Sequence, residues 1–175
     1  MKNKNNLNVL KIRKERNMSN DRKFMEMAIE EAYLGVSAND GGPFGAVIVK
    51  GEEVLATAHN TVLRDNDPVR HAEINAISLA AKKNKTYDLS GCVIYSTTEP
   101  CPMCFSAMHW ARLEKLVYGT DIEDVKKLGF NELTIPSSVM RERGRSSVII
   151  QNAFMRVECE KLLGYWDKFS ERVVY

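Results

Sequence analysis

A chain of 175 residues with 44% hydrophobic and 27% charged side chains is that of an ordinary soluble globular protein, long enough for one domain with a buried core. No apolar run reaches the length of a membrane span, and residues 1–17 lack the apolar centre of a secretory signal, so neither a membrane nor an export route is expected. The formal charge of +2 hides a division: residues 1–17 hold six Lys or Arg and one Glu, which leaves residues 18–175 with 19 basic and 22 acidic side chains, a net of −3. A body of that sign counts against a nucleic-acid partner, which a basic face would grip.

Residues 1–17, rich in Asn and Lys, read as a flexible basic tail, and residues 18–175 as a single domain. Ser19, Asn20 or Asp21 caps an expected helix to about Leu34, with Gly35 as its C-terminal glycine. Asn39–Pro43 is a turn cluster that opens into a buried strand over Phe44–Lys50. Gly51-Glu52 is a hairpin turn, and Glu53–Asn60 a second strand. Phe44 is either part of a tight glycine loop or a pocket wall, and Asn60 either a turn residue or an amide aimed at a base edge. A helix follows from Ala72 to about Lys83, then a strand over Gly91–Thr98 and a helix from Pro102 to about Arg112. Lys115–Gly119 is a strand, and Asp121 caps a short helix to Leu128-Gly129. Leu133–Arg145 reads as irregular, Ser147–Gln151 as a strand and Ala153–Phe169 as an amphipathic helix. Strands alternating with helices imply an α/β layered domain.

Two short motifs carry the chemistry: His71-Ala72-Glu73 and Pro100-Cys101-Pro102-Met103-Cys104. One His and two Cys are three zinc ligands, and catalytic zinc keeps a fourth position for water. The signature H-x-E with P-C-x-x-C is that of the zinc nucleobase deaminases. Cys101 and Cys104, three residues apart, share one helical face. His71 and Glu73 point about 200° apart on a helix, so they converge only if the metal sits over its first turn. Glu73 is the candidate proton shuttle, since its reach exceeds that of Asp and burial can raise its pKa. A closed structural zinc site would need a fourth ligand from His59, His109, Cys92 or Cys159, none of which has convincing spacing. Cys92 and Cys159 read as inert core, and cysteines used this way suit a reducing cytoplasm.

With these motifs in place the chain resembles the cytidine deaminase superfamily, and within it the bacterial guanine deaminases. The resemblance covers about residues 20–130 and, more loosely, the last dozen. It is carried by Gly-Gly-Pro-Phe-Gly-Ala-Val-Ile-Val (41–49), Asn60, Asn66-Asp67-Pro68, both zinc motifs and Trp110-Ala111-Arg112. It implies a three-layer α/β/α sandwich with a mixed five-stranded sheet, Zn2+ held by His71, Cys101 and Cys104, and Glu73 as shuttle. It implies a free nucleobase as substrate, with Phe44, Asn60 and the Ala72 backbone against the base and Trp110, Glu132 and Tyr175 as further determinants. A homodimer in which a swapped C-terminal segment caps the partner's site is also implied. The guanine deaminase pattern has two aspartates after Gly129-Phe130; here Asn131-Glu132 stand instead. The nearest alternative is tRNA adenosine deaminase, whose late helix Val157-Glu158-Cys159-Glu160-Lys161-Leu162-Leu163 resembles; a cytosine deaminase and a non-catalytic zinc module follow.

Overall fold

The computed structural model describes the backbone of residues 2–175 and the side chains of residues 18–175. Helix α1 spans Lys2–Ser37. The side chains of residues 1–17, on which the expected basic tail rests, lie outside the described ones. Phe24, Met25, Ala28, Ile29, Ala32 and Val36 are buried along α1, the helical stripe its spacing requires. The helix passes through Gly35 rather than ending there, and a Cβ at that position would meet the His59 ring at 2.6 Å. Gly35 is therefore a packing glycine, not a cap.

Strands β1 (Gly45–Lys50) and β2 (Glu53–His59) form an antiparallel hairpin, followed by the single turn α2 (Val62–Asp65). Helix α3 (Ala72–Asn84) leads to β3 (Cys92–Thr98), and α4 (Pro102–Trp110) to β4 (Lys115–Thr120). Helix α5 (Ile122–Lys127), helix α6 (Ser137–Gly144), strand β5 (Ile149–Gln151) and helix α7 (Arg156–Asp167) complete the chain. The sheet order is β2-β1-β3-β4-β5; β1 is antiparallel to β2 and β3, and β3, β4 and β5 run parallel.

Side chains alternate across the sheet. Val47, Val49, Tyr95 and Val117 pack on one face with Phe24, Met25 and Ala28 of α1 and Cys159 of α7. Ala46, Ile48, Ile94 and Leu116 pack on the other with Ala72, Ala76 and Ala80 of α3 and Phe105 and Met108 of α4. The result is the expected three-layer sandwich. Gly45 lets α1 approach the sheet closely, since a Cβ there would lie 2.0 Å from the Ala28 carbonyl oxygen.

One segment departs from expectation. Within the stretch read as irregular, Ser137–Gly144 is helical, entered through Pro136 and left through Arg145 at φ 51°. Among its residues only Ser137 is buried, so α6 has almost no apolar stripe by which a sequence would reveal it.

Candidate active site

Both zinc motifs sit at helix N-termini, as their spacing demands. His71 is the extended residue before α3 (φ −66°, ψ 154°), and Cys101 the extended residue before α4 (φ −63°, ψ 166°), with Pro102 beginning that helix. Cys101 follows the carboxyl end of β3, the edge of a sheet where ligand sites commonly lie. His71 Nδ1 lies 3.7 Å from Cys101 Sγ and 3.6 Å from Cys104 Sγ. Ordinary Zn–N and Zn–S bond lengths at a tetrahedral angle give a separation of about 3.6 Å, so the three donors fit zinc.

His71, Cys101 and Cys104 are the one such cluster among the described residues. The residues considered as fourth ligands are engaged elsewhere. His59 Nδ1 and Nε2 lie 2.7 Å from Glu31 and 2.8 Å from Asp40, and His109 Nδ1 lies 3.1 Å from Ser146 Oγ. Cys92 and Cys159 are buried in the two cores. A three-ligand set leaves the position that catalytic zinc gives to water.

The electrostatics follow from this crowding. A hydrogen bond from the Cys104 thiol, with His71 beside it, holds Cys101 down to about 4. The same hydrogen bond, together with burial, pushes Cys104 up. Burial opposes a charge on His71, but the bond to Cys101 and the Glu73 carboxylate outweigh it and raise its pKa. Glu73 is 4% exposed, and burial raises its pKa. Ser96 Oγ donates to its Oε1 at 3.2 Å and the Cys104 thiol to its Oε2 at 3.5 Å. The carboxyl is thus fixed beside the ligand set, where burial favours its protonated form.

A pocket of about 190 Å³ reaches His71 of the ligand set, lined also by Phe44, Asn60, Phe130, Glu132 and Tyr175 among others. Asn60 is fully buried. Its Oδ1 accepts from Val62 N–H at 3.1 Å and from the Tyr175 hydroxyl at 2.6 Å. Its Nδ2 is the one buried side-chain nitrogen or oxygen among the described residues without a partner. Tyr175 Oη also accepts from Gly42 N–H at 3.0 Å, so the last residue of the chain closes over its own pocket. Burial, then the nearby Cys101 charge, raises Glu132 to about 7.

Phe44, Asn60, Glu132 and Tyr175 thus converge on the pocket, and buried Ala72 begins α3 between His71 and Glu73. Trp110 does not converge. It is 80% exposed at the end of α4 and borders a different cavity with Tyr87, His109 and Arg112. Its place eight positions after Pro102 carries it along the helix away from the zinc end. Sequence reasoning passes over Phe130, whose ring lies 5.2 Å from Phe44, 5.4 Å from Tyr175 and 4.8 Å from Trp166. The available signal was an aromatic directly after a glycine at a helix end; Gly129 has φ 101°.

Three protein ligands and an adjacent buried carboxyl define a hydrolytic zinc centre, and comparison with known proteins gives it a lineage. The profile of the cytidine and deoxycytidylate deaminase zinc-binding region matches residues 18–120, more than half of the chain, and the protein belongs to that family of zinc-dependent deaminases. Guanine deaminase of Bacillus subtilis is 42% identical over 113 residues, 65% of this chain and 72% of that protein. A tRNA-specific adenosine deaminase of Buchnera aphidicola subsp. Schizaphis graminum is 32% identical over 148 residues, 85% of this chain and 94% of that one. Among solved structures, a guanine deaminase from Nitrosomonas europaea superposes with a TM-score of 0.75 at 29% identity, over 82% of each chain.

Proposed function

We propose that the protein hydrolyses the exocyclic amine of a free purine base, and that the base is guanine, giving xanthine and ammonia. The observation that carries this reading is the orphaned amide of Asn60. A buried donor without a partner is costly to maintain unless a ligand fills it. Asn60 Nδ2 supplies that donor and Glu132, when ionised, an acceptor, in a pocket walled by Phe44 and Phe130. Guanine offers both a carbonyl acceptor and N–H donors. The volume of about 190 Å³ lies below the ~300 Å³ at which drug-sized ligand pockets begin, which suits a single base.

In this reaction His71, Cys101 and Cys104 hold zinc, which when bound supplies the Lewis acidity that activates water. Glu73 takes a proton from the attacking water and passes it to the ring nitrogen. A second transfer through the same carboxyl protonates the departing amine, so water and guanine are converted to xanthine and ammonia with no proton unaccounted for. Ser96 keeps the carboxyl aimed during both transfers. Phe44 and Phe130 exclude water from the base faces, and Tyr175 closes the pocket.

A second reading, deamination of adenosine in tRNA, is favoured by the extent of the Buchnera relative, which spans 85% of this chain. Against it stand the net charge of −3 over residues 18–175 and the tail tyrosine bonded to the pocket amide, where a ribose and its chain would need an open side. Incubating the zinc-loaded enzyme with guanine, adenine, cytosine, guanosine and a tRNA anticodon stem-loop decides between them. Ammonia from guanine is expected; ammonia from the RNA alone would overturn the free-base reading. We also propose a cytoplasmic homodimer. Four free cysteines and the exposed Trp110 and Tyr87, at 80% and 73%, support it, and sedimentation would give the mass of two chains.

A further inference from the structure

We infer that Glu99 is a positioning residue for the segment that reads the substrate. Glu99 lies two residues before Cys101, is 5% exposed, and meets the starts of two helices. Its Oε2 accepts from the N–H of Ile122, the first residue of α5, at 3.2 Å. Its Oε1 accepts from the N–H of Ser137, the first residue of α6, at 2.7 Å. Two more bonds fasten the same junction: Glu99 N–H donates to the Thr120 carbonyl at 2.7 Å, and Ser137 Oγ to the Pro100 carbonyl at 3.2 Å.

Residues 128–136, which place Phe130, Asn131 and Glu132 in the pocket wall, run between these two helices. That segment has no regular structure of its own. Its backbone bonds are short-range, Glu132 N–H to Phe130 and Ile135 N–H to Leu133, apart from Asn131 N–H to the Tyr175 carbonyl at 3.4 Å. Leu133 and Ile135 are 66% and 42% exposed and anchor nothing in the core. Beyond the buried Phe130 ring, its placement depends on how α5 and α6 are set, and one carboxylate bonds the first N–H of both helices, beside the Asp121–Asp124 capping box of α5.

The chemistry requires a carboxylate. The first N–H groups of a helix have no partner within it, and both meet Glu99 in a buried place. An ionised Glu offers only acceptors and serves both. Gln offers one acceptor and one donor group, so Glu99→Gln leaves one helix N–H facing another donor. Cys101 is held separately, its carbonyl accepting from Phe105 N–H at 2.9 Å within α4. Disturbing Glu99 is therefore expected to loosen the reading segment and leave the ligand set in place.

The inference rests on the reading of Glu132 as a substrate contact, and its test separates the two. Zinc-loaded wild type, Glu99→Gln, Glu132→Gln and the double variant are assayed on guanine, with zinc content measured on each. Glu99→Gln is expected to retain its zinc and to raise KM about tenfold, the loss of one buried hydrogen bond, while kcat moves far less. In the Glu132→Gln background the same change is expected to cost less than in wild type, because part of its effect passes through Glu132. Equal costs in both backgrounds, or loss of zinc from Glu99→Gln, would overturn the inference. Hydrogen exchange supplies a readout that needs no substrate. Amides of 121–137 are expected to exchange faster in Glu99→Gln while those of 72–76 and 102–106 keep their wild-type rates; a uniform change, or none, also overturns it. A wild type that does not act on guanine sinks the substrate reading alone, and exchange still decides the role of Glu99.

Discussion

Glu73 and Glu132 are both carboxyls whose protons are held by burial, but their neighbours suit them to different tasks. Glu73, beside the ligand set and bonded by Ser96, has the proposed role of giving and taking a proton; Glu132, in the pocket wall, has that of accepting from a base. Glu73→Gln keeps the shape and removes the shuttle. Ammonia release is expected to fall at least about 10²–10⁴-fold with zinc content unchanged. Unaltered activity in that variant would leave only a zinc-stabilised binding module. Glu132 gives a pH test. Its pKa is raised from 4.5 to about 7 on folding, so the folded state holds the proton more tightly than the unfolded chain. Its contribution is then fully present below pH ~4.5 and is lost as pH rises through ~7, a difference of at most about 3 kcal/mol. Urea melts of the zinc-free protein between pH 4.5 and 8 are expected to show wild type losing stability relative to Glu132→Gln as pH rises. Parallel curves would place Glu132 in water.

At the scale of elements, the two helices that carry the ligands were legible because spacing and capping are local. An i, i+3 pair of cysteines and a proline at a first helical position fix where α4 starts before any tertiary contact is known. Helix α6 was not legible, because a polar helix with one buried residue has no period to read. Nor was the displacement of Trp110 from the pocket, since motif adjacency says nothing about how far a helix carries its last turn. The tail lies between these cases: a terminal tyrosine could be singled out, but its bonds to Asn60 and Gly42 join residues 115 and 133 positions apart. Removing residues 173–175 takes away that hydroxyl and the ring edge on Phe130. KM for guanine is expected to rise about tenfold, one hydrogen bond to a buried amide, with zinc content retained. Steady-state kinetics on the truncated chain checks this, and unchanged constants would remove Tyr175 from the site.

For the molecule as a whole, the alternation of strands with helices was sufficient to indicate a layered α/β domain, because each inner strand is an apolar run that packs against helices on both faces. Zinc, whose ligands the two motifs already indicated, joins two helices with ligands 30 and 33 residues apart, so that the metal acts as a long-range clasp. That clasp adds to a fold that already has two apolar clusters of its own, one on each face of the sheet. The chelated protein is therefore expected to remain folded and to unfold cooperatively, unlike a small domain that is folded only with its metal. Free zinc at a hundred times its dissociation constant is expected to raise the unfolding free energy by about 2.7 kcal/mol, the linkage expected when metal binds the native state alone. Binding to cysteines of the unfolded chain lowers that figure. His71→Ala leaves two of the three ligands and is expected to abolish most of the gain, while its zinc-free stability stays close to that of the chelated wild type. Calorimetry with and without zinc makes the comparison. A chelated wild type with no unfolding transition would mean that the site holds the fold together rather than being held by it.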